Sequence, residues 1–524
     1  MKKKRIIQII LSIIGFYFFL TILLFIVETI PKGGEQSITS IGDAAWYLLA
    51  TLTTVGYGDV TPVTLAGKVI GAVMMISSAG VLTFLLGLMF TILFGALLPS
   101  LRLWCVRNRD WYVFSALDER TQLLAERLAK EDAKAAFVFC GNEDTVSQEH
   151  YPTMHHHVII DEPLEVVVKR QNPAKLSHIF FMTEDGWENY HLGRTLLDRA
   201  DREGLKVYCE ADHAPDKYPA DMVLFHRPDT IARSYWTTYP VEQGEKTILI
   251  IGDGKVARHL LERGILINVL SWEHPLEYHL FGDWEAFRRD HYELGKIVGI
   301  GQQPEGEDGV YFETQEWNAS PEILANAGRI LFCDDDEQVN LYRMAELRKF
   351  FPTKAQVDVY ASHEDDRCRS FGGDDRLLTR EMVMQEKLNK LAILLNDLYR
   401  SKTGSGCEWT ELSEFHRQSN IAAADHLLTK VRILLPKENV TTITPEICMR
   451  AFANYSARTG EQKEACRWLE HKRWVRFHVM NNWSNAEVRD NALRHHTMIV
   501  PYDQLSKAEQ ALDDSAWEVL GEIK

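Results

Sequence analysis

The sequence has no Cys-x-x-Cys pair and no zinc spacing, although it holds 8 cysteines: Cys105, Cys140, Cys209, Cys333, Cys368, Cys407, Cys448 and Cys466. Zinc-ribbon and thioredoxin-type chemistry are thereby excluded. Several thiols sit in apolar, strand-like runs such as Phe137-Val138-Phe139-Cys140, which predicts buried, reduced side chains. A basic excess is missing as well: the formal charge is −16 over 524 residues. Residues 1–110 carry 9 Lys+Arg against 5 Asp+Glu, a balance of +4, which leaves −20 for residues 111–524. Nucleic acid is not expected as a partner, because phosphate binding needs a basic footprint. The length is too great for one core and predicts several domains.

Charge is absent altogether over the 22 residues from Ile6 to Val27. About 20 helical residues cross a bilayer core, so this run can span. The preceding Lys2-Lys3-Lys4-Arg5 also suits a signal peptide. However, the run is too long for a signal core, and no small-residue cleavage site ends it. The basic cluster places the N-terminus in the cytoplasm. A second apolar run extends from Ala66 to Leu98, broken only by Lys68. As one helix it would be about 50 Å long. That exceeds a core of ~30 Å, so it is expected to tilt and project inward. Pro99 is expected to end it, and Arg102, Arg107 and Arg109 follow. Residues 1–100 thus read as a cell-membrane unit with both termini cytoplasmic and 28–65 facing outward.

Between the spans, Asp43 to Thr53 reads as a short helix with Ser40 or Asp43 as N-cap. Thr54-Val55-Gly56-Tyr57-Gly58-Asp59 follows. A pore that passes a dehydrated cation must replace its water shell, and rings of backbone carbonyls do this. Alternating backbone handedness can aim successive carbonyls at one axis, and Gly56 and Gly58 supply conformations that other residues resist. Trp46 and Tyr57 can pack outward and hold such a ring open, with Asp59 beside them. This string, the Trp46-Tyr47 pair and Pro62-Val63-Thr64-Leu65 resemble the two-helix potassium channels. The resemblance covers residues 1–100 and implies K+ as permeant ion, a homotetramer with one filter strand per chain, and no enzymatic activity. That family has a hinge glycine where Ser78 stands. Gly80 is expected to replace it, with Gly87 as the second candidate. Close helix packing is the alternative role for both.

After a linker at 101–110, apolar runs alternate with amphipathic ones, which predicts parallel doubly wound sheets. The first set is Trp111–Ser115, Ala136–Cys140, His157–Asp161, Ile179–Met182, Val207–Cys209 and Met222–Phe225. The second is Ile248–Ile251, Leu266–Leu270, Ile330–Cys333 and Val357–Tyr360. Ile179 precedes Asn189 by the same ten residues as Ile330 precedes Asn340, which points to an internal repeat. Boundaries at 111–243 and 244–378 follow. The pair resembles the RCK (TrkA-N) modules, which implies gating by a bound small ligand. In the second copy Gly252-Asp253-Gly254-Lys255-Val256-Ala257 can bring a helix N-terminus to a phosphate. Gly252, Gly254 and Ala257 are then nucleotide-site candidates, with Glu273 for ribose hydroxyls. A glycine turn kept for packing is the other reading. The first copy has Ser115-Ala116-Leu117-Asp118 there, without glycine. Glu210 and Asp212 resemble calcium-binding acids of that family, but Met182 replaces a third acid, so Ca2+ is not expected. His155-His156-His157 reads as a loop before a strand.

Residues 379–524 read as helices. Trp409-x-x-Leu412-Ser413 and Tyr502-x-x-Leu505-Ser506 repeat one element. Glu470-His471-Lys472-Arg473-Trp474 and Val500-Pro501-Tyr502-x-x-Leu505 resemble the ryanodine-receptor repeat domain, with Asn482 where that family has Gly. Arg473, Trp474, Trp483 and His495 are candidates for a nucleotide-like ligand, through stacking and phosphate pairing. The leading functional reading is a ligand-gated potassium channel. Alternatives are a membrane-anchored oxidoreductase using the Gly252 turn, for which no catalytic set is found, and a second-messenger effector that depolarises the cell.

Overall fold

The computed structural model describes residues 2–30, 36–92, 98–141, 156–199, 203–212, 215–242, 244–270, 275–296, 298–301, 306–361, 368–404 and 406–523. The chain divides into two compact units, Met1–Cys105 and Val106–Lys524.

The first unit contains α1 (Lys2–Thr29), α2 (Ile41–Leu52) and α3 (Leu65–Ile92), and most of α4 (Leu98–Val106). Leu11–Thr29 and Leu65–Phe90 are long and apolar enough to cross a membrane. Their packing core is small: Leu20, Leu24, Ile38, Ala44, Tyr47 and Met74. Tyr17 donates to Ser77 Oγ at 2.9 Å and ties α1 to α3. Large apolar side chains such as Phe18, Phe19 and Ile76 are bare in the single chain. Pro99 does not end a helix. It is the second residue of α4, where its missing N–H costs nothing.

The second unit holds two large all-parallel sheets and a two-stranded parallel pair, Ser484–Asn485 with His495–His496. In the first, the order is β3-β2-β1-β4-β5-β6, with β1 Trp111–Phe114, β2 Ala136–Cys140, β3 His157–Ile160, β4 Ser177–Phe181, β5 Leu205–Glu210 and β6 Met222–Phe225. Helices α5 (Glu119–Glu131), α6 (Leu164–Val168), α7 (Gly186–Arg199) and α8 (Arg227–Thr238) connect or follow these strands. The second sheet runs β13-β12-β11-β7-β8-β10-β9, with β7 Thr247–Ile251, β8 Glu277–Phe281, β9 Gly299–Ile300, β10 Gly309–Glu313, β11 Arg329–Phe332, β12 Gln356–Tyr360 and β13 Arg369–Phe371. Its helices are α9 (Lys255–Ile267), α10 (Glu285–Asp290), α11 (Pro321–Asn326) and α12 (Glu337–Phe350). The helical region contains α13 (Asp374–Leu377), a π-turn at Arg380–Met384, α14 (Lys390–Thr403), α15 (Glu414–Leu434), α16 (Pro445–Ser456), α17 (Gly460–Met480) and α18 (Lys507–Leu512).

Leu266–Leu270 is not a strand. Leu266 and Ile267 end α9, and the strand comes later, at Glu277. The misleading signal has a physical cause. The last turns of α9 are covered on every side, so Gly264 to Ile267 are all buried. Helices α15 and α17 lie over them. His426 Nε2 donates to Val269 O at 2.9 Å, Thr429 Oγ1 to Ile267 O at 3.0 Å and Arg476 Nη1 to Ile265 O at 3.1 Å. The boundaries drawn at 243 and 378 do not follow the packing. Ile231, Ala232, Tyr235 and Trp236 of α8 belong to the core of the second sheet. Leu378 and Val383 belong to the core of the first.

Candidate functional site

The segment between α1 and α3 starts with a well-capped helix. Ser40, not Asp43, is the N-cap of α2. Its hydroxyl accepts from Asp43 N at 3.1 Å, while Asp43 Oδ2 accepts from Ser40 N at 2.8 Å and Thr39 N at 2.9 Å. Beyond the helix the backbone alternates. Thr54, Gly56 and Gly58 have φ of +61°, +55° and +74°, and Val55 and Tyr57 between them are not in the left-handed region. With every second residue in mirror-image conformation, successive carbonyls turn to one side of the strip. The glycines adopt this freely, whereas a β-branched threonine does so only against strain of about 1–3 kcal/mol. Thr54 was not legible as a left-handed position.

Four side chains brace this segment. Trp46 Nε1 donates to Asp59 Oδ2 at 3.0 Å. The Trp46 ring stacks on Tyr57, centroids 5.9 Å apart at 6°. Glu28 was missed by the sequence reading. It is 1% exposed at the end of α1, and its carboxylate accepts from Val63 N and Thr64 N at 3.0 Å and from Thr64 Oγ1 at 2.7 Å. A Cβ on Gly67 would stand 1.9 Å from Glu28 Oε1, so any larger residue there must displace the carboxylate. The available signal was a lone acid closing a charge-free run. Gly80 and Gly87 lie inside α3, and a Cβ at either would meet nothing within 4 Å. Close packing within the chain therefore does not require them.

The glycine turn after β7 is built for packing. Gly252 has φ +133°, and a Cβ there would lie 2.7 Å from Asp334 N. A Cβ on Gly254 would lie 2.1 Å from Asp335 Oδ1. The Asp335 carboxylate accepts the Lys255 backbone N–H at the first turn of α9, where a phosphate would sit. Burial, with Asp334 and Asp253 nearby, raises its pKa. Ala257 is buried in α9. Glu273 lies outside the described residues. The strand after α9 spans 277–281, so residue 273 precedes it in the chain. In the first sheet, Asp118 Oδ1 caps α5 by accepting from Thr121 N at 2.8 Å. Both helix N-termini thus hold a carboxylate of the chain, and the residues present do not fit a pyrophosphate.

Glu210 is paired with Arg120, and Asp212 Oδ1 with Lys255 Nζ at 3.0 Å. Among the described residues no three His, Cys, Asp or Glu side chains are placed to hold a metal ion. His157 opens β3, and His155 lies outside the described residues.

The structure separates the four C-terminal candidates. Arg473 is 3% exposed and pairs with Glu470 at 2.6 Å, which also takes Lys430 at 2.7 Å. It therefore faces the interior. Trp474 packs on His478 at 3.8 Å and His496 at 4.9 Å. His495 joins Asp490 through backbone hydrogen bonds of 2.8 and 3.1 Å. Trp483 stacks on Phe415 at 5.2 Å and alone of the four lines a cavity of about 520 Å³. Asn482 adopts a left-handed backbone, with φ +58°, and its Nδ2 donates to Asp290 O at 2.7 Å. The repeated aromatic-x-x-Leu-Ser element is one structure twice. A 3-10 turn, Trp409–Glu411 or Tyr502–Gln504, leads to a serine cap, Ser413 of α15 or Ser506 of α18.

A family model described as "Ion channel" matches residues 6–95. A voltage-gated potassium channel of Aeropyrum pernix is 53% identical over 53 residues, 10% of this chain and 18% of that protein. Potassium voltage-gated channel subfamily A member 5 of Mustela putorius furo is 41% identical over 76 residues, 14% of this chain and 12% of that protein. The chain therefore spans under a fifth of the length of these relatives. Among solved structures, a GsuK mutant matches at 14% identity and a TM-score of 0.33, and GsuK bound to ADP at 14% and 0.31. Each covers 70% of this chain and 91% of that one.

Proposed function

We propose that four copies of this chain form a potassium-selective channel, with both ends of each chain in the cytoplasm. Conduction is passive. The observation that carries the reading is the alternating left-handed backbone at Thr54, Gly56 and Gly58, flanked by two spans and tethered through Trp46–Asp59. Carbonyls of Thr54 to Gly58 from four chains would replace the hydration shell of K+. Gly80 is the proposed hinge of α3, with Gly87 next in order. The acidic second unit senses a small ligand, a nucleotide among the candidates, and shifts the closed–open equilibrium by its differential affinity for the two states.

The test is flux from liposomes containing the purified chain. K+ efflux should exceed Na+ efflux by orders of magnitude, and Gly58→Ala should abolish it, because a Cβ at φ +74° opposes the filter conformation. Equal K+ and Na+ flux, or full flux in Gly58→Ala, overturns the reading.

A further inference from the structure

The cavity of about 520 Å³ lies against one face of α17. Trp468, Lys472, Val475 and Val479 recur at helical spacing along that face. The adjoining face, about 100° round the helix, is committed to the interior: Leu469, Arg473, Arg476 and Met480 are buried. Trp483 and Tyr502 supply two more aromatic walls, and Ser484 and Asn485 stand at the margin with hydrogen-bonding groups. Apolar walls with a few polar groups at the edge are the usual make-up of a small-molecule site of this size.

The charges at the cavity are already matched. Lys472 Nζ lies 3.1 Å from Glu307 Oε2, donates to the Gly306 carbonyl and stands 5.0 Å over the Trp468 ring. Lys296 pairs with Glu293. His471 Nε2 donates to Val500 O at 2.9 Å, and burial pushes its pKa down, so it is neutral. Asp503 adds a further carboxylate to the lining. Two ammonium groups face three carboxylates, whereas a phosphate site needs cations left over for the ligand. We infer that this cavity binds an uncharged planar heteroaromatic ring of purine size by stacking, and does not bind through phosphate. Adenine, a nucleoside and a nucleotide all present such a ring, and phosphates would contribute nothing here.

The wall of the site also reaches the second sheet. Glu307, which holds Lys472, accepts from Arg476 at 3.1 Å. Arg476 also pairs with Asp308 at 2.7 Å, and Asp308 Oδ1 accepts Leu276 N at 2.9 Å just before β8. A ring that moves Lys472 therefore disturbs a buried ion network anchored on that sheet. The gating consequence of binding rests on the channel reading above, but binding itself does not.

The experiment measures binding of adenine, adenosine, AMP and ATP to the full chain in detergent, by quenching of tryptophan fluorescence and by calorimetry. Adenine and adenosine should bind, and AMP and ATP should bind no more tightly than adenosine. Trp468→Ala should weaken adenosine by about tenfold or more, as loss of a base-stacking partner does. Trp468→Phe, which keeps a stacking face, should stay within about threefold of the parent. Asn485→Ala at the exposed margin leaves the fold intact and should weaken adenosine severalfold. The proposal is overturned if neither adenine nor adenosine binds, if affinity climbs with each phosphate, or if Trp468→Ala binds as the parent does. Ligand-free K+ flux in liposomes is read separately. Lost binding with intact flux removes this proposal alone, and absent flux with intact binding removes the channel reading alone.

Discussion

The two large parallel sheets of the second unit solve the same structural problems, sometimes with the same residue and sometimes not. Asn189 and Asn340 are the shared solution. Each is fully buried in the first turn of its helix, α7 after β4 and α12 after β11. Asn189 Nδ2 donates to Thr183 O at 2.9 Å and Glu210 O at 3.0 Å, and Asn340 Nδ2 to Asp334 O at 2.8 Å and Tyr360 O at 3.1 Å. Each therefore ties the turn after one strand to the end of the next. The first helix N-terminus of each sheet shows divergence. In the first sheet the anion is local, Asp118, a cap within its own helix. In the second it comes from a different turn, Asp335. A local cap stabilises one helix, whereas a remote one joins two crossovers and leaves neither open to a phosphate.

The comparison breaks most readily at the strand starts. Arg329, first residue of β11, is 1% exposed, pairs with Glu245 at 2.6 Å and donates to the carbonyls of Tyr239 and Pro240 at 2.7 and 2.9 Å. In the register that aligns Ile179 with Ile330, the corresponding residue of β4 is His178, whose Nδ1 lies 3.1 Å from Tyr208 Oη. Arg329→Met should destabilise the second sheet by about 3 kcal/mol, since it leaves a carboxylate and two carbonyls without their partner. Hydrogen exchange should rise across β7 and β11 much more than across β1 and β4. Asn189→Ala and Asn340→Ala should each cost about 2 kcal/mol, by similar amounts if the repeat is real in energy as well as in shape. Unequal losses in chemical denaturation would sink that equivalence.

Asp118→Ala should cost about 1 kcal/mol, confined to α5 in hydrogen exchange. Asp335→Asn should act in the opposite direction. The folded-state pKa of Asp335 is raised, so its ionised form is penalised in the fold. The penalty sets in as pH rises above the ordinary carboxyl value and is complete above the raised one. The variant should therefore melt slightly higher than the parent at pH 7, and the two should converge as pH falls toward the unfolded value. A lower melting temperature at pH 7 would show that the carboxylate's bond to Lys255 N outweighs its repulsion by Asp334 and Asp253.

Much of the architecture was legible, and the failures have local causes. All six strands of the first sheet were found because they are short apolar runs between turn residues. In the second sheet, the short β9 and β13 were missed, and so were the longer β8 and β10. They carry His279 and Glu313, which pair at 2.7 Å on a half-covered face, so neither strand reads as an apolar run. The end of α9 was misread because burial on all sides erases helical periodicity. The glycine turn was found, but its occupant was not, since Asp335 lies some 80 residues further along the chain. Arg473 looked available because sequence shows charge and not the Glu470 that consumes it. The thiols are free, but Cys105 and Cys407 are exposed. At Thr54–Asp59, composition revealed the glycines, while the handedness of Thr54 and the reach of Glu28 emerged only in three dimensions.

The segment 374–384 returns to the first sheet after the second is finished. Leu378 and Val383 fill that earlier core, Arg127 grips the Asp375 side chain at 2.6 Å and Arg380 donates to Tyr112 Oη at 2.7 Å. This sets an order in time on the ribosome. Domains generally fold as they emerge, N-terminal first. Here the strands of the first sheet are all made by residue 225, yet their core lacks two of its members until residue 383 has left the exit tunnel. The nascent chain must carry an open apolar face through the synthesis of the entire second sheet, so a transcript truncated at residue 373 would yield a first domain that waits for a plug it never receives.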